Sequence, residues 1–95
     1  VAATVTTTDQ PGAGDPMARI AQLRARIDEI DTTLITLWRE RAELSRQVGA
    51  ARVASGGTRL ALAREREILD RFHSALGGDG TQLGLLLLRA GRGRL

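Results

Sequence analysis

From Ile20 to Ala51 the chain carries a repeat that leaves little choice of fold. Ile20, Leu23, Ile27, Ile30, Leu34, Leu37, Arg41, Leu44, Val48 and Ala51 follow one another at alternating spacings of three and four. This is the heptad pattern of a helix packed along its length. Asp15 followed by Pro16 supplies an N-cap and a first helical residue. No proline follows before residue 54, and only Gly49 weakens the run. The spacing therefore predicts one helix from residue 16 to about residue 54, roughly 55 Å long at the α-helical rise. A chain of 95 residues cannot cover such a seam within a compact monomer, so much of it must pack on a second copy. The expected fold is all-α: three helices, one very long, in an intertwined homodimer.

A domain this small has little core of its own, and association is the route open to it. There is no cysteine for a disulfide or a thiolate metal site, and His73 stands alone. No metal or cofactor is expected. The N-terminal stretch has neither the basic run nor the apolar segment of a signal peptide. The longest leucine run, Leu85 to Leu88, is far short of the ~20 apolar residues that a membrane span requires. A cytoplasmic protein with no membrane contact is expected.

Residues 1–15, rich in Thr, Ala, Gly and Pro, read as a disordered leader. Residues 16–90 read as the helical domain. Ser55-Gly56-Gly57-Thr58 breaks the first helix. A second helix, from Arg59 to about Ala75, places Leu62, Leu69, Phe72 and Leu76 on one stripe with Ile68 beside it. Gly77-Gly78-Asp79-Gly80 reads as the next break, with Asp79 or Thr81 free to cap a third helix running from Thr81 to about Ala90. Residues 91–95, Gly91-Arg92-Gly93-Arg94-Leu95, read as a flexible basic tail.

All fourteen basic residues are arginine, set against eleven acids. A GC-rich coding sequence favours arginine, but so does a need to grip carboxylates with a planar, two-pronged donor. The net charge of +3 comes with no basic block or interleaved aromatics, so no nucleic-acid partner is expected. Most of the arginines alternate with acids and read as solvated faces. Four do not. Arg41 occupies a core position of the heptad, where a charge is costly unless paired, or else sets the register of a coiled coil. Arg52, eleven residues on, returns to within roughly 20° of the same face. Glu65 lies three residues after Leu62 and four before Leu69, on the apolar side of the second helix, with Arg64 at the edge of that face. Arg24 precedes Arg41 by seventeen residues, about 25 Å along one helix. It can serve a site near Arg41 only from the other chain of an antiparallel two-fold dimer.

The ordered set Leu23-Arg24-Ala25-Arg26-Ile27-Asp28-Glu29-Ile30-Asp31, Arg39-Glu40-Arg41-Ala42-Glu43-Leu44, Val48-Gly49-Ala50-Ala51-Arg52 and Arg64-Glu65 resembles the all-α AroQ class of chorismate mutases. The loop Ala54 to Leu60 and the ending Leu86 to Leu95 resemble the short actinobacterial, delta-type subclass. The resemblance spans about residues 18–95 and implies conversion of chorismate to prephenate by a Claisen rearrangement, on the way to phenylalanine and tyrosine. Such a reaction needs orientation and fixed positive charge rather than a nucleophile or metal.

The resemblance also implies residue roles. Arg41, and Arg24 from the other chain, bind the two carboxylates. Arg52 addresses the ether oxygen and a carboxylate, Arg64 assists, and Glu65 accepts a hydrogen bond from the ring hydroxyl. Two positions depart from the family: Ala61 stands where many relatives have an Asp, and the third helix offers apolar residues and Gly84 where others place a Ser and a Gln. Members of this subclass are poor catalysts alone and gain activity on docking to DAHP synthase. That partner is implied here, with Arg92, Gly93, Arg94 and Leu95 as the segment it repositions. The alternatives are an isochorismate-pyruvate lyase, disfavoured because the loop from Ser55 to Thr58 has no lysine, and a non-catalytic dimerisation or nucleic-acid-binding module.

Overall fold

The computed structural model describes residues 14–56 and 59–92, with side chains in the second segment from Leu62 onward. Three helices make up the described residues: α1 (Pro16–Ser55), α2 (Arg59–Leu76) and α3 (Gly78–Arg92). All but the last two residues of the N-terminal leader, the loop residues Gly57 and Thr58, and the tail residues Gly93, Arg94 and Leu95 lie outside the described residues.

The chain divides into two units, one ending at Ile35 and the other running from Thr36 to Leu95. The first is a helical segment. Asp15 Oδ1 accepts from the Met17 amide at 3.0 Å, and the Asp15 carbonyl accepts from Arg19 at 3.0 Å. The aspartate thus satisfies an amide that a helix start leaves without a partner. Along this segment the seam residues Ile20, Leu23, Ile27, Ile30 and Leu34 are all exposed.

The second unit holds the core, in which Ala42, Ile68 and Leu87 are the buried apolar residues. The expected stripe on α2 is rotated. Ile68 is its most buried residue, Leu69 and Phe72 are half-buried, and Leu62 and Leu76 are exposed. The α1 residues Leu37, Leu44 and Val48 remain exposed here as well.

α1 stops at Ser55, and Gly56 follows with φ 76°, a left-handed conformation that glycine adopts without strain. The junction of α2 and α3 corrects the expected four-residue break to a single residue. Gly77, with φ 71°, donates to the His73 carbonyl at 2.7 Å, which closes α2. Its own carbonyl accepts from Gly80 at 3.0 Å and Thr81 at 3.3 Å, which opens α3. Gly78, Asp79 and Gly80 are therefore helical. Asp79 is not the cap but a first-turn acid at the positive end of the helix dipole. The Thr81 hydroxyl, the other expected cap, instead shares a hydrogen bond with His73 Nδ1 at 3.0 Å.

Glycines let α3 pack tightly. Gly80, Gly84, Leu87 and Gly91 form its buried stripe. A Cβ at Gly80 would collide with the Phe72 carbonyl and lie 2.9 Å from Leu76 Cβ, while one at Gly84 would meet Leu69 Cδ2 at 3.0 Å. The stripe runs through Gly91, so α3 continues to Arg92. Gly91 and Arg92, expected in the flexible tail, belong to the helix.

Candidate active site

A cavity of about 610 Å³ in the second unit is lined by residues of all three helices. Arg41, Arg46 and Arg52 come from α1, Arg64 and Glu65 from α2, and Arg92 from α3. Its apolar walls include Leu44, Val48, Val53, Ile68 and Leu88. Glu65 is the single acid among five arginines in this lining. Low-dielectric walls around clustered cations favour an anionic ligand with an apolar body.

Helix geometry explains the convergence. Arg41, Leu44, Val48 and Arg52 recur at the three- and four-residue spacings that keep one helical face in register. Glu65 and Ile68 stand three apart on α2 and share a face in the same way. Arg41 is half-buried, and its Nη1 donates to the Leu87 carbonyl at 3.5 Å. Arg46 donates through Nη1 to the Ala90 carbonyl at 3.4 Å and pairs through Nη2 with Glu43 at 2.9 Å. The Arg46 hydrogen bond, a second one from Gln47 and the nearby Arg46 charge hold the Glu43 carboxyl below the usual carboxylate range. Arg64 reaches Glu67 at 3.4 Å. Half-buried Arg52 makes no side-chain hydrogen bond or ion pair among the described residues, which leaves its donors for a ligand.

Four of the residues singled out from sequence, Arg41, Arg52, Arg64 and Glu65, thus line one cavity. The fifth, Arg24, lies exposed in the first unit. Two lining residues escaped the sequence reading. Arg46 is one of the arginines that alternate with acids and read in sequence as solvated faces. Arg92, expected in the tail as part of the segment that a partner repositions, instead pairs through Nη2 with Glu65 Oε2 at 3.0 Å. The third helix is accordingly not a bare wall: it brings Leu88, Gly91 and Arg92 to the cavity, while Gly84 packs on Leu69 of α2.

The family model for chorismate mutase type II matches residues 23–85. Over 85 residues the chain is 48% identical to an intracellular chorismate mutase of Mycolicibacterium smegmatis, an alignment covering 90% of this chain and 82% of that protein. Over 80 residues it is 50% identical to the intracellular chorismate mutase of Mycobacterium tuberculosis, covering 84% and 75% respectively. Among solved structures, it is similar to a chain of the non-covalent complex of DAHP synthase and chorismate mutase from Corynebacterium glutamicum with bound transition state analog. The TM-score is 0.74 at 37% identity, covering 82% of this chain and 94% of that one.

Proposed function

The chain belongs to the chorismate mutase type II family, and from that premise we propose that it converts chorismate to prephenate in a cavity completed by a second copy of itself. The observation that carries the proposal is the meeting of Arg41, Arg52, Arg64 and Glu65 around one cavity with apolar walls. The reaction breaks the ether C–O bond and forms a C–C bond within one molecule, so no group is transferred to the protein. What the protein must do is hold the substrate folded and stabilise the charge that builds on the ether oxygen.

Arg41 grips one carboxylate, Arg24 of the partner subunit grips the other, and Arg64 assists. Holding both ends fixes the chair-like geometry in which the reacting carbons meet. Arg52 donates to the ether oxygen as the C–O bond lengthens. A fixed donor at such a site contributes about 100- to 1,000-fold in rate, because it strengthens only as charge develops. Glu65 accepts a hydrogen bond from the ring hydroxyl and so sets which face of the ring lies against α2.

The exposed α1 seam supports the homodimer. The similarity to a chorismate mutase captured with DAHP synthase supports an equivalent partner, engaged by the segment from Arg92 to Leu95. The names of the mycobacterial relatives support an intracellular place. Among the described residues no helix is long and apolar enough to cross a membrane.

The test is loss of chorismate absorbance with prephenate as product, measured with and without the DAHP synthase of the same host. Arg52→Ala is expected to lower kcat by about 100-fold or more. An Arg52→Ala chain as active as the parent removes the proposed mechanism. Equal rates with and without the synthase remove the partner and leave the enzyme. Pyruvate release from isochorismate exceeding prephenate formation assigns the pocket to a lyase instead.

A further inference from the structure

The last turn of α3 brings to the cavity a cation that the proposed reaction does not call for. Arg92 Nη2 donates to Glu65 Oε2 at 3.0 Å, across 27 residues of chain. Both side chains are partly shielded, with 47% of Arg92 and 30% of Glu65 accessible. A cation in the last turn of a helix is favourable wherever it points, and Arg89 provides one from the exposed surface of the same turn. Arg92 differs because it faces the cavity and takes the one acid there.

The turn that carries Arg92 is fixed from the opposite side. Gly91 lies against Ser45 of α1, where a Cβ would stand 2.7 Å from Ser45 Cβ and collide with its hydroxyl oxygen. Arg46 binds the Ala90 carbonyl at 3.4 Å. The backbone of the turn is thus tied to α1 while its side chain reaches α2, which sets where Glu65 stands relative to the α1 arginines.

We propose that Arg92 is a positioning residue for Glu65 and sets the affinity of the site for a dicarboxylate carrying a ring hydroxyl. Two effects follow from the contact. By occupying Oε2, Arg92 leaves Oε1 of Glu65 to accept from the hydroxyl. By offsetting the Glu65 charge, it lowers the repulsion between that carboxylate and the two on the substrate. Both act on the bound substrate and the transition state alike, so their loss raises KM more than it lowers kcat. The inference rests on the proposed reaction.

The experiment measures kcat and KM for chorismate in the full chain and in Arg92→Ala, Arg92→Lys, Glu65→Gln, Arg92→Ala/Glu65→Gln and Arg89→Ala, with helicity checked by circular dichroism. Arg92→Ala is expected to raise KM about tenfold with kcat within about threefold of the parent, as loss of shared ground-state and transition-state binding requires. Arg92→Lys, which restores a cation, should recover most of that loss. The double variant should be no worse than Glu65→Gln, because residues acting through one contact are not additive. Arg89→Ala should match the parent, which separates the contact from the helix dipole.

An unchanged KM in Arg92→Ala, a double variant whose losses multiply, or an Arg89→Ala chain as impaired as Arg92→Ala each overturns the inference. Should Arg92→Ala lose helicity, Arg92→Gln, which keeps the length without the charge, is judged by the same criteria. A parent chain that fails to convert chorismate, alone or with the synthase, overturns the reaction and this inference together. A parent that converts it while Arg92→Ala keeps its KM overturns this inference alone.

Discussion

Gly80 looks dispensable in sequence and is not. It stands in the first turn of α3 facing the Phe72 carbonyl of α2, at a separation that admits a hydrogen atom and no methyl group. Gly80→Ala should gain up to about 1 kcal/mol in helix propensity and lose more, because the obstacle is backbone and cannot rotate away. The net expectation is a loss of about 2 kcal/mol or more, within the range for overpacking a well-filled contact. Gly84→Ala makes its one tight contact with the mobile end of Leu69, its other neighbours lying at ordinary van der Waals distance, and should cost about 1 kcal/mol or less after repacking. Thermal or urea unfolding of both variants checks this order, and an equal cost for the two would refute it. The same glycines explain why the bounds of α3 were hard to read. Gly78, Gly80 and Gly91 read as helix breakers in sequence, whereas the contacts of Gly80 with α2 and of Gly91 with α1 outweigh a propensity loss of about 1 kcal/mol each. The legible signal was spacing: Gly80, Gly84, Leu87 and Gly91 recur every three or four residues, so the stripe carries the helix past Ala90 to Arg92.

At the scale of elements, α1 was the most legible part of the chain and is the least buried. Its cap, Asp15, and its first residue, Pro16, stand where sequence placed them, because local chemistry alone decides a helix start. Among the described residues nothing covers its apolar seam: Leu34 is 58% exposed, Leu37 53%, Leu44 53% and Val48 56%. Burying one such side chain is worth about 1.5–3 kcal/mol, so the seam is a strong drive toward a second chain and a weak contributor without one. Leu34→Asp should therefore convert a dimer to monomer in sedimentation. The parent should melt at a temperature that rises with protein concentration, and the variant should lose that dependence. A monomeric parent, or a variant that stays dimeric, would count against the seam as the interface. On α2 the periodicity found Leu69 and Phe72 but centred the stripe one position away from Ile68, so that Leu62 and Leu76 stand exposed. Ile68 took the centre because it, and not Leu62, meets the cavity side shared with Glu65.

For the whole molecule, the question is whether one chain holds a complete site. Heptad and face arguments relate Arg41 to Arg52 on one helix, while the link from those arginines to Glu65 on α2 comes from the family resemblance and not from spacing. They failed at Arg92, whose role depends on a packing contact between Gly91 and Ser45 that no local pattern encodes. Arg24 is the test case for sharing, since the proposed site takes it from the partner subunit. Suppose Arg24→Ala and Arg41→Ala chains are each inactive, and are mixed in equal amounts under conditions where subunits exchange. Half of the dimers are then mixed. In a mixed dimer the Arg24→Ala chain keeps its own Arg41 and receives an intact Arg24 from its partner, while the other site lacks both arginines. One good site in half the dimers gives about a quarter of parental activity, as two-fold symmetry requires. A site built within a single chain gives none at any mixing ratio, because every chain then carries a broken site. Mass spectrometry of the mixture under native conditions establishes that exchange has occurred. Recovery near a quarter then places Arg24 across the dimer, and its absence despite exchange confines the site to one chain.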